Sequence, residues 1–375
     1  MKLLVISHTE HYRLPDETIA GWGPTIRELD ELTLLFDEVT HIACLHDTPA
    51  PKSAMPYTSG KVRFVGIPPY GGPGWRNKLA ILTTAPQIIA TVFRELRKSD
   101  VFQFRAPTSM GVYLIPLLSL FTRRKGWFKY AGNWVEERPP LSYAIQRGWL
   151  VQMQKRKVTI NGRWPNQPGH LLSFENPCLD EKETRQARQA ATNKTYNDKL
   201  IIAFAGGLNP GKGIIQLLEA FMVSPKIADQ ISELIIAGDG PLRPELEKRA
   251  AQLPIKVTFR GFLNRTQLEA VYAAAHIICL PSDSEGFPKV IAEGAAYGCI
   301  PVVTDVSAIG QYIKHGETGF LLPGNRPEQI AAALEELVNN RAALPVIAQR
   351  ARQMAELFTY ERYRQRIAAE ILRIE

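Results

Sequence analysis

The sequence predicts an α/β protein made of two doubly wound, Rossmann-like domains, each with a parallel sheet. Three observations carry this expectation. Short apolar runs alternate with segments of helical spacing along the whole chain, the pattern of strands joined by crossover helices. A polar tract at 181–199 interrupts the alternation, which then restarts. The 375 residues also exceed one ordinary core and suit two domains. The expected division is a first domain over 1–180, a linker at 181–199 and a second domain over 200–357, followed by a terminal amphipathic helix within 358–375.

In the first half, Lys2 to Ser7 reads as a buried strand, and His8 to Gly23 as a long polar loop containing Gly21, Trp22 and Gly23. A helix from about Pro24 to Phe36 carries Ile26, Leu29, Leu32 and Leu35 at helical spacing, with proline near its start. Val39 to Leu45 is the next strand, completing a βαβ unit. Its glycine loop lacks dinucleotide spacing, and reads equally well as a ligand-approaching loop or a plain turn. A Pro/Gly-rich tract at 47–77 includes the strand Val62 to Ile67, and a helix spans Leu79 to Arg97. Val101 to Phe104 is a strand leading to Arg105, and Ser109 to Phe121 a helix. A strand at about Trp127 to Ala131 ends in a loop bearing Asn133, and further elements run over Ala144 to Arg156 and Lys157 to Asn161.

The second half repeats the alternation. Strands are expected at Leu200 to Ala205, Glu233 to Ala237, Val257 to Arg260, Ile277 to Leu280 and Ile300 to Thr304. Helices fall between them, and another covers Pro327 to Asn339. Asn264 or Thr266 caps the helix that ends at Ala275.

The most informative stretch follows the strand at 277–280. A polar loop with Ser284 leads into Glu285, Gly286, Phe287 and Pro288, then a small-residue helix from Lys289 stopped by Gly298. Strand, loop, helix and strand place a ligand at the carboxyl ends of parallel strands and at a helix N-terminus. Backbone N–H groups there suit an anion, and carboxylates suit hydroxyls. Glu293 follows Glu285 after seven residues, so one extended ligand is expected to touch both. An acidic residue at a helix start also arises simply from the helix dipole.

Upstream, Gly206 and Gly211-Lys212 fit most of a P-loop between a strand and a helix. That motif requires Ser or Thr next, to bind magnesium, and Gly213 stands there. An ATPase is therefore a poor reading.

Taken together, Lys212, the Gly238-Asp239-Gly240-Pro241 turn, Phe259 with Gly261, the Glu285/Glu293 pair and the His315–Phe320 turn resemble the donor-site signature of the retaining glycosyltransferases of family 4. The resemblance covers nearly the whole second half and is weaker over the first. It implies the two-domain GT-B fold, with the domains facing across a cleft and the last helix returning to the first domain. It implies a nucleoside diphosphate sugar, UDP- or GDP-linked, as donor. Its hexosyl unit would pass with retained configuration to a hydroxyl of a glycan or lipid-linked acceptor, as in cell-surface polysaccharide or glycoconjugate synthesis. No cofactor and no essential metal are implied.

By this resemblance Glu285 holds the transferred sugar, Glu293 the ribose and Lys212 the leaving diphosphate. Gly206, Gly207, Gly238, Asp239, Gly240 and Ser284 line the donor, as do Gly286, Phe287, Pro288, Lys289 and Val290. Arg105 stands where the family offers a histidine, and Gly207 where it offers an arginine; either Lys289 substitutes for that arginine, or the diphosphate leans on the backbone N–H groups of Gly286, Phe287, Lys289 and Val290. Gly21, Trp22, Gly23 and Asn133 fall on the acceptor side. A nucleotide-sugar epimerase of the same fold, or a non-catalytic nucleotide-sugar-binding scaffold, stays open as an alternative.

Composition narrows the partners. Hydrophobic content of 45% with 22% charged residues is that of a globular chain. No apolar run is long enough to span a bilayer, and the N-terminal one is too short for a signal peptide. Cys44, Cys178, Cys279 and Cys299 form no CxxC pair, which suits reduced thiols and a cytoplasmic setting. The net charge of +8 is uneven, with 22 Lys/Arg against 15 Asp/Glu in residues 1–180 and 23 against 22 in the remainder. A basic first half suits an acidic partner, or is ordinary solvated charge. The cluster Arg123-Arg124-Lys125-Gly126-Trp127-Phe128-Lys129 suits an anionic membrane surface, with Trp127 and Phe128 at the interface; it equally suits a solvated loop with inward aromatics. No nucleic acid partner is expected.

Overall fold

The structure is a computed structural model that describes residues 1–70 and 75–373. Residues 71–74, in the expected Pro/Gly-rich tract, and 374–375, at the end of the expected terminal helix, lie outside the described residues. The chain forms two compact units. One is Met1–Phe174 together with the chain from Tyr363 onward; the other is Glu175–Arg362.

The strands of the first unit are β1 (Lys2–Arg13), β2 (Ile19–Trp22), β3 (Glu38–His46), β4 (Ala54–Pro56), β5 (Val62–Ile67), β6 (Val101–Ala106), β7 (Lys125–Tyr130), β8 (Val158–Ile160) and β9 (Leu171–Ser173). They form a sheet of parallel order β5-β3-β1-β6-β7-β8-β9, with β2 and β4 added antiparallel beyond the far end of β1. Leu3 to Ile6 are all buried, as befits a central parallel strand covered on both faces. Their period-two alternation divides the core. Leu4 and Ile6 join Phe102, Phe104 and Phe128 on one side. On the other, Leu3 and Val5 join Val101, Trp127 and Leu29, with Tyr363 and Ile367 of the terminal segment. The terminal segment thus packs on the first sheet, as helix over Tyr360–Arg366 and a π-helical turn over Ile367–Leu372.

The segment His8 to Gly23, expected to be a loop, is mostly strand. The register of β1 against β3 shifts between Ile6 and Glu10, and β1 then continues to Arg13 and folds back as β2. Buried polar contacts make this possible despite the polar sequence. His11 donates to or accepts from the Tyr57 hydroxyl at 2.8 Å, and His41 meets the same hydroxyl at 2.7 Å.

The second unit holds one fully parallel sheet of order β12-β11-β10-β13-β14-β15, the strands being β10 (Leu200–Ala205), β11 (Ile231–Ala237), β12 (Lys256–Gly261), β13 (Ile277–Leu280), β14 (Ile300–Thr304) and β15 (Phe320–Leu322). Right-handed crossovers with helices on both faces are the ordinary way to join such strands. The tract 181–199 is not a linker. Glu181–Thr192 is a helix closed by a capping box in which the Asp180 carboxylate accepts the Glu183 N–H at 2.8 Å and the Glu183 carboxylate accepts the Asp180 N–H at 2.9 Å. Ala187 is buried beneath it, and after it the Tyr196 hydroxyl donates to the Gly298 carbonyl at 2.6 Å. A few apolar side chains at helical spacing are enough once a cap starts the helix.

Candidate functional site

In the second sheet the strand order reverses at β10, whose neighbours are β11 on one side and β13 on the other. Open parallel sheets form a crevice at such a switch point, outside the carboxyl ends of the strands. The loops that leave β10 and β13 therefore flank it, and they are 206–213 and 281–288.

These two loops interlock through backbone. The Asp283 N–H donates to the Gly211 carbonyl at 3.0 Å. Gly213 has φ of 69°, and a Cβ there would strike the Pro281 carbonyl oxygen, so only glycine fits. The loop after β11 joins them, with the Leu208 N–H donating to the Asp239 carbonyl at 3.0 Å. A Cβ on Gly240 would lie 2.5 Å from the Leu208 carbonyl oxygen, and one on Gly238 would strike that of Gly206. Close packing of loops thus accounts for Gly238 and Gly240 on its own.

Against this frame the Lys212 ammonium forms an ion pair with the Glu285 carboxylate. Lys212 sits in a single 3₁₀ turn, Pro210–Lys212, just before the helix Ile214–Val223. Glu285 lies four residues before the helix Lys289–Ala296, and its side chain is only 12% exposed. Residues 73 apart in sequence are brought together at the switch point. The first N–H groups of the helix that starts at Lys289 have no partner within it and carry the positive end of its dipole. One cation, one carboxylate and a helix N-terminus can accept both a phosphate and sugar hydroxyls.

Other expected donor residues divide. Ser284 is exposed and Gly286 half-buried beside Glu285. Gly206 and Gly207 lie in the loop itself, and a Cβ built on Gly207 would lie 3.1 Å from the Asn209 amide nitrogen. Phe287 turns its ring into the core, stacked on Phe358 with centroids 4.3 Å apart, so only its backbone faces the loop. Pro288 is the N-cap, Lys289 is half-buried at the first helical position and Val290 packs against the core. Asp239 is exposed and pairs with Arg243 at 3.3 Å.

Glu293 is not presented as an open carboxylate beside Glu285. Residues 285–288 are not helical, so Glu293 stands one turn into the helix and faces inward. Its Oε1 meets Arg265 Nη1 at 2.6 Å, and Tyr272 donates its hydroxyl to Oε2 at 3.1 Å. Arg265 also holds Glu183 at 2.7 Å and donates to the Cys178 carbonyl at 3.3 Å. Burial opposes its charge, but Glu293 and Glu183 outweigh this and raise its pKa above the ordinary value. Burial, then Glu293, pushes the Tyr272 phenol well up. The sequence reading missed Arg265 and Tyr272, because their partners come from separate helices and leave no spacing signal.

In the first unit, Arg105 does not point out of its strand end as a free cation. Its guanidinium donates to Gln103 at 2.9 Å and pairs with Glu28 at 2.8 Å, and its side chain is largely buried. Lys129 reaches the same carboxylate at 2.6 Å, and Tyr363 donates to it at 2.9 Å. Glu28 is thus a hub that joins the first helix, β6, β7 and the terminal segment. Gly21 lies in β2, where a Cβ would strike the His11 ring, and a Cβ on Gly23 would lie 2.7 Å from Met55 Sδ. Both glycines serve close packing; Trp22 between them is exposed. Asn133 accepts the Val135 N–H at 3.1 Å and shapes a turn.

Two Rossmann-like parallel-sheet units, with a charged pair at the switch point of the second, place the protein in the GT-B class of architectures. Residues 185–354 match the family model described as Glycosyl transferases group 1. It is 33% identical over 169 residues to a D-inositol 3-phosphate glycosyltransferase of Rhodococcus opacus (strain B4), covering 43% of this chain and 38% of that protein. It is 28% identical over 195 residues to the alpha-D-kanosaminyltransferase of Streptomyces kanamyceticus, covering 51% of this chain and 50% of the relative. The chain therefore spans half or less of the length of these two relatives. Among solved structures, Anabaena HepE in complex with UDP and glucose superposes with a TM-score of 0.70 at 17% identity, covering 98% of both chains. Sucrose-phosphate synthase from Thermosynechococcus elongatus does so with a TM-score of 0.73 at 18% identity, covering 98% of this chain and 97% of that one. At these identities the structural likeness establishes the fold.

Proposed function

We propose that the second unit binds a nucleoside diphosphate sugar at its switch point. The protein then transfers the hexosyl unit, with retained configuration, to a hydroxyl of a glycan or lipid-linked acceptor in cell-surface polysaccharide or glycoconjugate synthesis. The observation that carries this reading is the Lys212–Glu285 pair, a cation and a carboxylate held together where the loops after β10 and β13 meet. Curated relatives named as glycosyltransferases and structural neighbours solved with UDP support it.

Lys212 and the N–H groups at the start of the helix from Lys289 stabilise the charge that grows on the departing diphosphate. With Gly207 lacking a side chain, this backbone contribution carries more of the load than it would beside an arginine fork. Once Lys212 turns to the phosphate, the Glu285 carboxylate is released to accept hydroxyls of the transferred sugar. Donor binding needs no metal ion, and neither does transfer.

Incubation of the purified protein with UDP- and GDP-hexoses, with and without a polyprenyl-phosphate or oligosaccharide acceptor, tests the reading. The expected result is slow donor hydrolysis alone, transfer when a suitable acceptor is present, and a product of the donor's anomeric configuration by NMR. Conversion of the donor to an epimer without acceptor would instead establish the epimerase. Neither conversion nor binding of any nucleotide would end the proposal.

A further inference from the structure

We propose that the first unit docks on an anionic lipid bilayer through the outer faces of two neighbouring helices, Gly111–Leu120 and Leu141–Gln152, and the basic loops beside them. This goes beyond the donor site and stands on different residues.

The first observation is an apolar surface with no partner. The helix Gly111–Leu120 carries no charged residue, an all-round apolar composition normally found inside a protein or against lipid. Its outward positions are Val112, Pro116 and Leu120, and Phe121 follows; Leu120 and Phe121 are 63% and 70% exposed. The neighbouring helix is held against it by Gln146, which donates to the Thr108 carbonyl at 2.9 Å and accepts the Thr108 N–H at 3.2 Å. That helix exposes Leu141, at 77%, and Ile145 one turn on. Met153, at its end, is also exposed. Among the described residues, seven of the fifteen exposed large hydrophobic side chains fall between Val112 and Met153. Such clustering marks an interaction surface.

The second observation is charge. Residues 101–174 hold eleven Lys/Arg against two Glu, a balance of +9 where the whole chain has +8. Part of this is absorbed internally. Lys129 and Arg105 pair with Glu28, and Arg156 donates to the carbonyls of Thr122, at 2.6 Å, and Arg124, at 3.2 Å. Arg123, Lys125 and Lys155 are exposed and, among the described residues, make no ion pair. They line one surface depression with Arg124 and Met153, so the cations adjoin the apolar tip.

Apolar side chains that insert between lipids, ringed by cations that meet headgroup phosphates, are the two terms of interfacial binding. Of the two readings of the basic cluster, the inward one holds for its aromatics: Trp127 and Phe128 are fully buried in β7, whose two faces are both covered, and do not reach the interface. Leu120, Phe121 and Met153 take their place.

Vesicle co-sedimentation of the full chain tests this, using phosphatidylglycerol/phosphatidylethanolamine and pure phosphatidylcholine vesicles. Binding is expected to the anionic vesicles only, and to fall with salt. Replacing Arg123, Lys125 and Lys155 by Ala is expected to weaken it roughly a hundredfold, from about fivefold per cation. Leu120→Ser with Phe121→Ser is expected to abolish co-sedimentation while unchanged circular dichroism reports intact folding. All four natural cysteines are buried, so a Phe121→Cys variant labels at one place, and its polarity-sensitive dye is expected to brighten on anionic vesicles. No binding to anionic vesicles would overturn the proposal. So would binding indifferent to both sets of substitutions. Light scattering that shows a dimer dissolved by Leu120→Ser and Phe121→Ser, without vesicle binding, would assign the face to a second copy instead.

Discussion

Replacing Lys212 by Met removes the ammonium from Glu285 while keeping most of the aliphatic stem, and it has two separable consequences. The first is on stability. Lys212 is 29% exposed and Glu285 12%, between a surface pair, worth about 0.2–1 kcal/mol, and a buried pair whose breaking costs about 3–5 kcal/mol. A loss of about 1–2 kcal/mol is therefore expected, because Glu285 is left partly desolvated without its cation. Glu285→Gln in the same chain is expected to recover part of this, giving a coupling of about 1 kcal/mol in the double-mutant cycle. Urea titrations of the four proteins measure it. The second consequence is on ligand binding. One charge-assisted hydrogen bond to phosphate contributes about 1.5–3 kcal/mol, so UDP affinity by calorimetry is expected to fall roughly ten- to hundredfold. A cycle with no coupling would refute the ion pair, and a Lys212→Met variant with undiminished UDP affinity would refute its role toward the diphosphate.

Three further outcomes follow from the geometry. Gly213→Ala places a Cβ on the Pro281 carbonyl oxygen at a left-handed φ, and is expected to destabilise by about 2 kcal/mol or more in urea while slackening the loop that carries Lys212. Burial holds the His11 imidazole at about 4, below its ordinary 6.5, so between those pH values the unfolded chain binds a proton that the folded chain does not. Stability is then complete above pH 6.5 and falls by about 3 kcal/mol as the pH drops to 4. His41, lowered by burial and then by His11 and Arg105, acts in the same direction, and His11→Gln is expected to flatten the measured slope. Asp180→Ala removes the cap of the helix Glu181–Thr192 and is expected to cost about 1 kcal/mol in thermal unfolding, which a true linker would not show.

Where the chain is apolar and regular, its elements were legible to the residue. Val62–Ile67, Ile277–Leu280, Ile300–Thr304 and Pro327–Asn339 have the bounds their patterns imply. The polar continuation of β1 was not legible, because the contacts that bury His11 come from Tyr57 and Phe64, far along the chain. The helix at 181–192 announced itself only through Asp180 and Glu183, a capping box that the low apolar content obscured. Lys212 and Glu285 were found because each sits in a recognisable loop motif, and their meeting follows from the sheet order rather than from either motif. The inward turn of Glu293 depends on where its helix starts, and the engagement of Arg105 on Glu28; neither is written in local sequence. In the basic cluster at 123–129, alternation along β7 could not show that both of its faces would be covered.

Hydrogen exchange with and without saturating UDP tests the central claim most directly, since it locates bound nucleotide along the backbone. Slowed exchange is expected to concentrate in 206–213 and 281–290, with loss of that protection in Lys212→Met at the same UDP concentration. Protection elsewhere with those two loops unchanged, or no protection by UDP or GDP at any concentration, would contradict it.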